Sequence, residues 1–122
     1  MPVPRITKEE LKQRLDTEDA STKPTILDAR LKYAYEHSTV TLPGALRMMA
    51  DAVDAARLPR DRDIVVYDSD PNEVTGSRVA VDLIGRGFKA AVLKGGIADW
   101  AGANFHVDTK SAPKPAPPPP KA

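Results

Sequence analysis

Short apolar runs alternate along the chain with segments of helical character. The clearest run is Ile64–Tyr67, which is continuous and rich in β-branched residues, as expected of a strand buried on both faces of a parallel sheet. Thr25–Asp28 and residues 91–93 are shorter runs of the same kind. Residues 3–6, with their prolines, fit an edge strand. This alternation predicts an α/β fold with a parallel sheet covered by helices.

Helix signals lie between the strands. Thr7 is a predicted N-cap, because Glu10 follows three residues later and completes a capping box for a helix over residues 8–15. Alanine-rich residues 48–56 and residues 32–36 are also predicted to be helical. A further helix over residues 77–86 should end before Gly87. Its predicted core positions are Val79, Ala80, Leu83 and Ile84.

Turns and a proline-rich tail complete the pattern. Residues 42–45 are a predicted turn, and Gly95 with Gly96 should turn into a short helix that contains Trp100. Six of the 12 prolines lie in the last ten residues, so residues 109–122 are expected to be disordered or to form polyproline II. Such a tail is a spacer or a ligand for a polyproline-reading domain. The folded domain is predicted to span residues 1–108.

Composition narrows the function classes. The length of 122 residues suits one domain. Residues 1–108 carry 15 basic and 17 acidic side chains, whereas the tail carries three lysines and no acid, so the folded part has no excess positive charge to attract nucleic acid. No apolar run is long enough for a membrane span, and the first residues lack the apolar stretch of a signal peptide, so we expect a cytoplasmic protein.

Several segments occur in an order that resembles the rhodanese superfamily. Residues 26–30 resemble the family strand that ends in Asp-x-Arg, residues 42–45 resemble its Ile-Pro-Gly-Ala turn, and residues 93–100 are similar to its C-terminal signature. The resemblance implies a single rhodanese-like domain with a five-stranded parallel sheet flanked by helices. The matching motif positions are Asp28, Arg30, Pro43, Gly44, Gly95, Gly96 and Trp100.

The resemblance also implies an active-site loop after Ile64–Tyr67. In catalytic relatives a cysteine opens this loop, and backbone amides and a helix dipole stabilise its thiolate. One branch of the family reads Tyr-Cys-x-Cys-Pro-Asn-Glu here, but this chain has Asp68 and Asp70 at the two cysteine positions and contains no cysteine anywhere. Without a thiol, sulfur transfer by the family mechanism is excluded. The degenerate loop comprises Asp68, Ser69, Asp70, Pro71, Asn72, Glu73, Val74, Thr75, Gly76 and Ser77.

Three roles for the aspartates are open on sequence grounds. Asp68 or Asp70 could itself fill the amide cradle, where the helix dipole favours a carboxylate. Asp68 could instead be a nucleophile, because a strand followed by Asp-x-Asp is how haloacid-dehalogenase-type phosphatases begin. Asp68, Asp70, Asn72 and Glu73 could also supply oxygen ligands to calcium or magnesium, although their spacing is not that of an EF-hand.

The sequence therefore predicts a catalytically inactive rhodanese-like domain with a binding or regulatory role. We expect no catalytic residue, no cofactor and no metal, and a partner that is either another protein or a small anion. Four alternatives stay open. The chain could carry the family label of a sulfurtransferase although its residues argue against that chemistry, or it could be a phosphatase dependent on Asp68. It could also be a module that binds a divalent cation, or a structural domain tethered by its tail.

Overall fold

Five short parallel strands form the centre of the fold. The computed structural model describes residues 3–17, 19, 23–69 and 72–110. The elements are β1 (Arg5–Ile6), α1 (Lys8–Thr17), β2 (Thr25–Asp28), α2 (Lys32–His37), β3 (Val40–Thr41), β4 (Leu46–Arg47), β5 (Ile64–Tyr67), α3 (Val74–Gly85), β6 (Ala90–Leu93), α4 (Gly96–Gly102) and β7 (Asp108–Thr109).

The main sheet has the order β1-β6-β5-β2-β4, and all of its pairs are parallel. This arrangement confirms the predicted α/β class and the five-stranded parallel sheet. The short strand β1 lies at an edge, as its prolines predicted. Because the strands are parallel, the residues that follow β5, β6 and β2 all emerge at one edge of the sheet, which we call the carboxyl edge.

Alternation along the strands divides the core between the two faces of the sheet. Ile64 and Val66 of β5 pack on the same side as α3, whereas Val65 and Tyr67 pack on the side covered by α1 and α4. Both faces are buried, and all four residues of β5 are inaccessible to solvent. A strand covered on both sides can be apolar throughout, which explains the uninterrupted run in the sequence.

The predicted helix ends are confirmed by their hydrogen bonds. The Thr7 amide donates to Glu10 Oε1 at 2.9 Å, and the Glu10 amide donates to Thr7 Oγ1 at 3.1 Å, which is a complete capping box. At the end of α3 the Gly87 amide donates to the Ile84 carbonyl and the Phe88 amide to the Leu83 carbonyl, with Gly87 at φ 94°. That pair of bonds is the Schellman motif that a C′ glycine permits.

The helix predicted over residues 48–56 is wrong. The Met48 amide instead donates to the Asp28 carbonyl at 3.1 Å, which prolongs the pairing of β4 with β2, and turns follow. Only Ala55–Arg57 form one 3₁₀ turn. Asp54 caps this turn, because its side-chain Oδ1 accepts a hydrogen bond from the Ala56 amide at 3.1 Å. Strand pairing has overridden the helix propensity of the alanines.

Two details of α3 also differ from prediction. The helix begins at Val74 and not at residue 77, so the last part of the expected loop is its first turn. Val79, Ala80 and Leu83 are buried as predicted, but Ile84 is 41% exposed. Ile84 lies one position past Leu83 around the helix, and this rotation carries its side chain off the buried face.

The chain after α4 adds a second pairing that the sequence did not predict. β7 pairs antiparallel with β3, so Thr109, which follows the predicted end of the domain at residue 108, belongs to a strand. The Lys110 amide continues the pairing by donating to the Thr39 carbonyl at 2.8 Å. The proline-rich tail from residue 111 onward lies outside the described residues. Within the part of the chain that is described, no helix combines the length and apolar character needed to cross a bilayer.

Candidate functional site

Asp68 is a buried carboxylate at the carboxyl edge of the sheet. It follows β5 directly and is 1% exposed. Its Oδ2 accepts a hydrogen bond from the Gly76 amide, in the first turn of α3, at 2.5 Å. The first amides of a helix have no partner within the helix, and the positive end of the helix dipole favours an anion there. Asp68 therefore supplies from within the chain the negative charge that this helix end attracts.

Two glycines allow the backbone to close around Asp68. A Cβ on Gly76 would lie 3.1 Å from Asp68 Oδ2, and a Cβ on Gly96 would overlap the Asp68 backbone oxygen. Gly96 also has φ 62°, a conformation that favours glycine. The next amide, that of Ile97, donates to the Asp68 carbonyl at 3.1 Å. The turn after β6 and the start of α3 thus hold Asp68 from two sides.

Glu73 is the second buried carboxylate at the carboxyl edge. It precedes α3 in a left-handed conformation at φ 59° and is 5% exposed. Arg5 of β1 binds both carboxylate oxygens, with Nε at 2.8 Å and Nη2 at 2.7 Å, and the Gly95 amide donates to Oε2 at 3.1 Å. The hydrogen bonds from Arg5 lower the pKa of Glu73. Glu73 therefore ties β1, the Gly95 turn and α3 together, and it faces Arg5.

Asp28 and Arg30 form a buried ion pair beside this site. Arg30 Nε donates to Asp28 Oδ1 at 3.1 Å and Nη2 to Oδ2 at 2.7 Å, and both residues are at most 1% exposed. The Tyr67 hydroxyl donates to Asp28 Oδ2 at 2.8 Å and accepts from the Leu42 amide at 3.3 Å. Burial, and then the Asp28 charge, raise the pKa of Tyr67. This network joins the ends of β2 and β5.

Three cationic side chains near this network pack against the ring of Tyr35 in α2. Its ring lies 4.1 Å from Arg47 Cζ, 4.2 Å from Lys110 Nζ and 5.2 Å from Arg30 Cζ. Arg47 also donates to the Arg30 carbonyl at 2.6 Å, and Lys110 donates to the Tyr35 carbonyl at 2.6 Å. Through these hydrogen bonds Arg47 and Lys110 satisfy backbone carbonyl oxygens just after β2 and within α2.

The predicted site residues therefore fall in two groups. Asp28, Arg30, Gly95 and Gly96 lie at the carboxyl edge with Asp68. Pro43, Gly44 and Trp100 instead line a cavity beside the amino ends of the strands, on the side of the sheet covered by α1 and α4. Trp100 donates to the His106 carbonyl at 2.8 Å, and the Gly44 amide donates to Asp108 Oδ2 at 2.8 Å.

Sequence reasoning missed three residues of the carboxyl edge. Arg5 and Arg47 carry no local motif, because each meets its partner only through the sheet order. Tyr67 could have been identified, since a tyrosine that ends a fully buried strand needs a partner for its hydroxyl. Asp70 and Pro71 lie outside the described residues, so the choice between Asp68 and Asp70 at the cysteine position stays a prediction.

The two acidic residues of the loop that the structure describes, Asp68 and Glu73, face different partners. Asp68 binds the start of α3, whereas Glu73 turns to Arg5 and Gly95. Among the described residues, no three histidine, cysteine, aspartate or glutamate side chains come together in a way that could hold a metal ion. A cation site built from Asp68 and Glu73 therefore has no support in this geometry.

Comparisons with known proteins bear on the family and the fold of the chain. The sequence profile of the rhodanese-like domain family matches residues 7–103. No curated protein is a recognisable relative of the chain.

Solved structures give the same fold. A protein from Bacillus halodurans superposes with a TM-score of 0.75 at 20% identity, over 88% of this chain and 77% of the other. A full-length protein from Lactobacillus plantarum gives a TM-score of 0.71 at 27% identity, over 87% and 88%. A rhodanese-like domain protein from Staphylococcus aureus gives 0.69 at 21% identity, over 88% and 99%.

Proposed function

Because the chain belongs to the rhodanese-like domain family and contains no cysteine, we propose that it is a non-catalytic member that acts by binding another protein. Sulfur transfer in this family needs a thiolate that accepts a sulfane sulfur and passes it on as a persulfide. A carboxylate oxygen cannot accept a sulfane sulfur and pass it on in this way. The five-stranded parallel sheet is present, so we attribute the missing chemistry to the loop and not to the scaffold.

The observation that carries the proposal is the burial of Asp68. Asp68 is 1% exposed, and its carboxylate accepts a hydrogen bond from the Gly76 amide. A bound anion or thiolate would otherwise use that amide. A second negative charge at this point would be repelled and would find that amide engaged. This favours a protein partner over a small anion held in the loop. It also weakens the phosphatase alternative, since a nucleophile must be accessible to its substrate.

Exposed apolar side chains at the same edge support a protein partner. Leu31 and Tyr33 follow β2 and are 59% and 71% exposed, Met49 follows β4 at 38%, and Val74 begins α3 at 63%. β4, β2 and β5 are neighbours in the sheet, so these side chains share one edge. The partner we propose is a protein segment with an apolar surface, since exposed apolar side chains at one edge of a domain offer such a segment a surface to pack against.

The first test is the thiosulfate–cyanide assay. We expect thiocyanate formation at the rate of the protein-free blank, because no side chain in the chain can carry a sulfane sulfur. A cysteine-containing rhodanese, assayed in parallel, establishes that the assay is working. Turnover above the blank that increases with the concentration of this protein would refute the proposal.

A second test asks whether Asp68 occupies the cradle. In an amide NMR titration with sulfate and thiosulfate, we expect no shift of the Gly76 signal in the natural chain. In Asp68→Ala the Gly76 amide loses its acceptor, and added anion should shift its signal. Asp82→Ala is the matched control, because it removes a half-exposed carboxylate from the same helix. A shift at Gly76 in the natural chain would mean that the loop is an open anion receptor.

A further inference from the structure

A cavity of the described structure lies away from the carboxyl edge. It has a volume of about 510 Å³ and lies between α1, the end of α4 and the amino ends of β2 and β5. Its apolar lining includes Leu15, Ile26, Pro43 and Trp100. Small-molecule sites typically have volumes of about 300–1,000 Å³ and are mainly apolar, with a few polar groups that fix the ligand.

Strand register brings two cations together at this cavity. β2 and β5 are adjacent and parallel, with Thr25 paired to Ile64. Lys23 and Arg62 each stand two residues before that pair, at the same edge of the sheet, and both line the cavity. They are 39 residues apart in sequence, so no local motif predicts their meeting.

These two cations have no anionic partner within the described part of the chain. Neither side chain makes an ion pair or hydrogen bond there. Two acids near them already have cationic partners: Asp16, which also lines the cavity, pairs with Lys12 at 2.5 Å, and Asp63 pairs with Arg14 at 3.1 Å. An apolar cavity with two unpaired positive charges at its rim complements a ligand with an apolar body and one anionic group.

We infer that this cavity binds a small amphipathic anion, such as an aromatic or aliphatic carboxylate. The anionic group lies between Lys23 and Arg62. The apolar body contacts the side chains of Ile26, Pro43 and Trp100. This site goes beyond the proposed function, because it is separate from the degenerate loop. It would let a small metabolite of that class influence a domain that itself performs no chemistry.

The probe we would use is 2-naphthoate, titrated into the full chain and followed by NMR. Trp100 is the only tryptophan, so its indole N–H gives a single resolved reporter in the cavity. We expect its signal and the amides of Thr25 and Ile26 to shift, with a dissociation constant on the order of 1 mM. The Gly76 and Gly95 amides, at the opposite edge, should not move.

Charge is tested with matched probes and variants. Neutral 2-naphthalenemethanol and cationic 2-naphthylmethylammonium should bind at least about tenfold more weakly than naphthoate. Arg62→Gln should weaken naphthoate binding about fivefold to tenfold, and the double change of Lys23 and Arg62 to Gln should weaken it further. Arg57→Gln removes an exposed cation away from the cavity and should leave binding unchanged.

Two results would overturn the inference. One is the absence of any shift at Trp100 with naphthoate up to ~10 mM, well above the affinity expected for a ligand of this size. The other is equal binding of all three probes together with an unchanged affinity in Arg62→Gln, which would mean an apolar groove without selection for charge. Because the sulfur assay and the Gly76 signal report on the other edge, this inference and the proposed function can fail independently.

Discussion

Replacing Asp28 with alanine is expected to remove about 3–5 kcal/mol from the free energy of unfolding, because it leaves the buried Arg30 guanidinium without its counter-ion. Arg30 is 1% exposed and cannot reach water without moving out of the core. The Tyr67 hydroxyl would lose its acceptor at the same time. For a domain whose total stability is typically about 5–15 kcal/mol, such a loss is a large share, so the variant should unfold at a much lower urea concentration than the natural chain.

Urea denaturation followed by circular dichroism measures this loss. Asp82→Ala is the matched control, because Asp82 also pairs with an arginine, Arg86 at 3.2 Å, but with both side chains about half exposed. An exposed pair of this spacing contributes about 0.3–0.5 kcal/mol. Tyr67→Phe should fall between the two, at about 1–3 kcal/mol, because it removes both hydrogen bonds of the hydroxyl, to Asp28 and from the Leu42 amide, and leaves the ion pair. Equal effects of Asp28→Ala and Asp82→Ala would contradict the assigned role of the network.

Gly96→Ala is expected to destabilise the domain by about 2–4 kcal/mol and to displace Asp68. The new Cβ would overlap the Asp68 backbone oxygen, which cannot swing aside as a flexible side chain would. Gly96 also has φ 62°, so alanine there is strained in its own backbone. The start of α4 would have to move away from β5, and the hydrogen bond from the Ile97 amide to Asp68 would lengthen.

Gly102→Ala provides the control within the same helix. No atom lies within 4 Å of a Cβ added there, so the change should be neutral or should stabilise by up to about 1 kcal/mol. Thermal unfolding would compare the two variants, and amide NMR would report whether the Gly76 and Ile97 signals shift in Gly96→Ala alone. If Gly96→Ala were as stable as Gly102→Ala, the close approach of the α4 turn to Asp68 would be wrong.

These two changes concern residues that the rhodanese resemblance singled out. In this chain Asp28 closes a buried ion pair, and Gly96 lets a turn pass against the backbone of β5. Neither contact needs a cysteine. The motif residues around the degenerate loop can therefore be explained by the packing of the carboxyl edge, and the scaffold stays intact where the thiol is missing.

Local signals predicted most of the elements. The capping box at Thr7 and the glycine stop at Gly87 mark helix ends through bonds between residues a few positions apart. β5 was recognised because a strand buried on both faces must be apolar throughout. The failure at residues 48–56 has the opposite cause, since Met48 is held by the distant Asp28 carbonyl and not by its own neighbours.

The sequence by itself determined the family, the parallel α/β fold and the absence of a cysteine thiol, because each depends on residue types or on spacings within one segment. The tertiary structure decided which groups the buried acids meet. It joins Glu73 to Arg5, Tyr67 to Asp28 and Asp68 to Gly76, and it places Lys23 and Arg62 at the lining of one cavity. With the exception of Asp68 and Gly76, these partners are tens of residues apart. Strand order and register bring them together, and neither can be read from a local pattern.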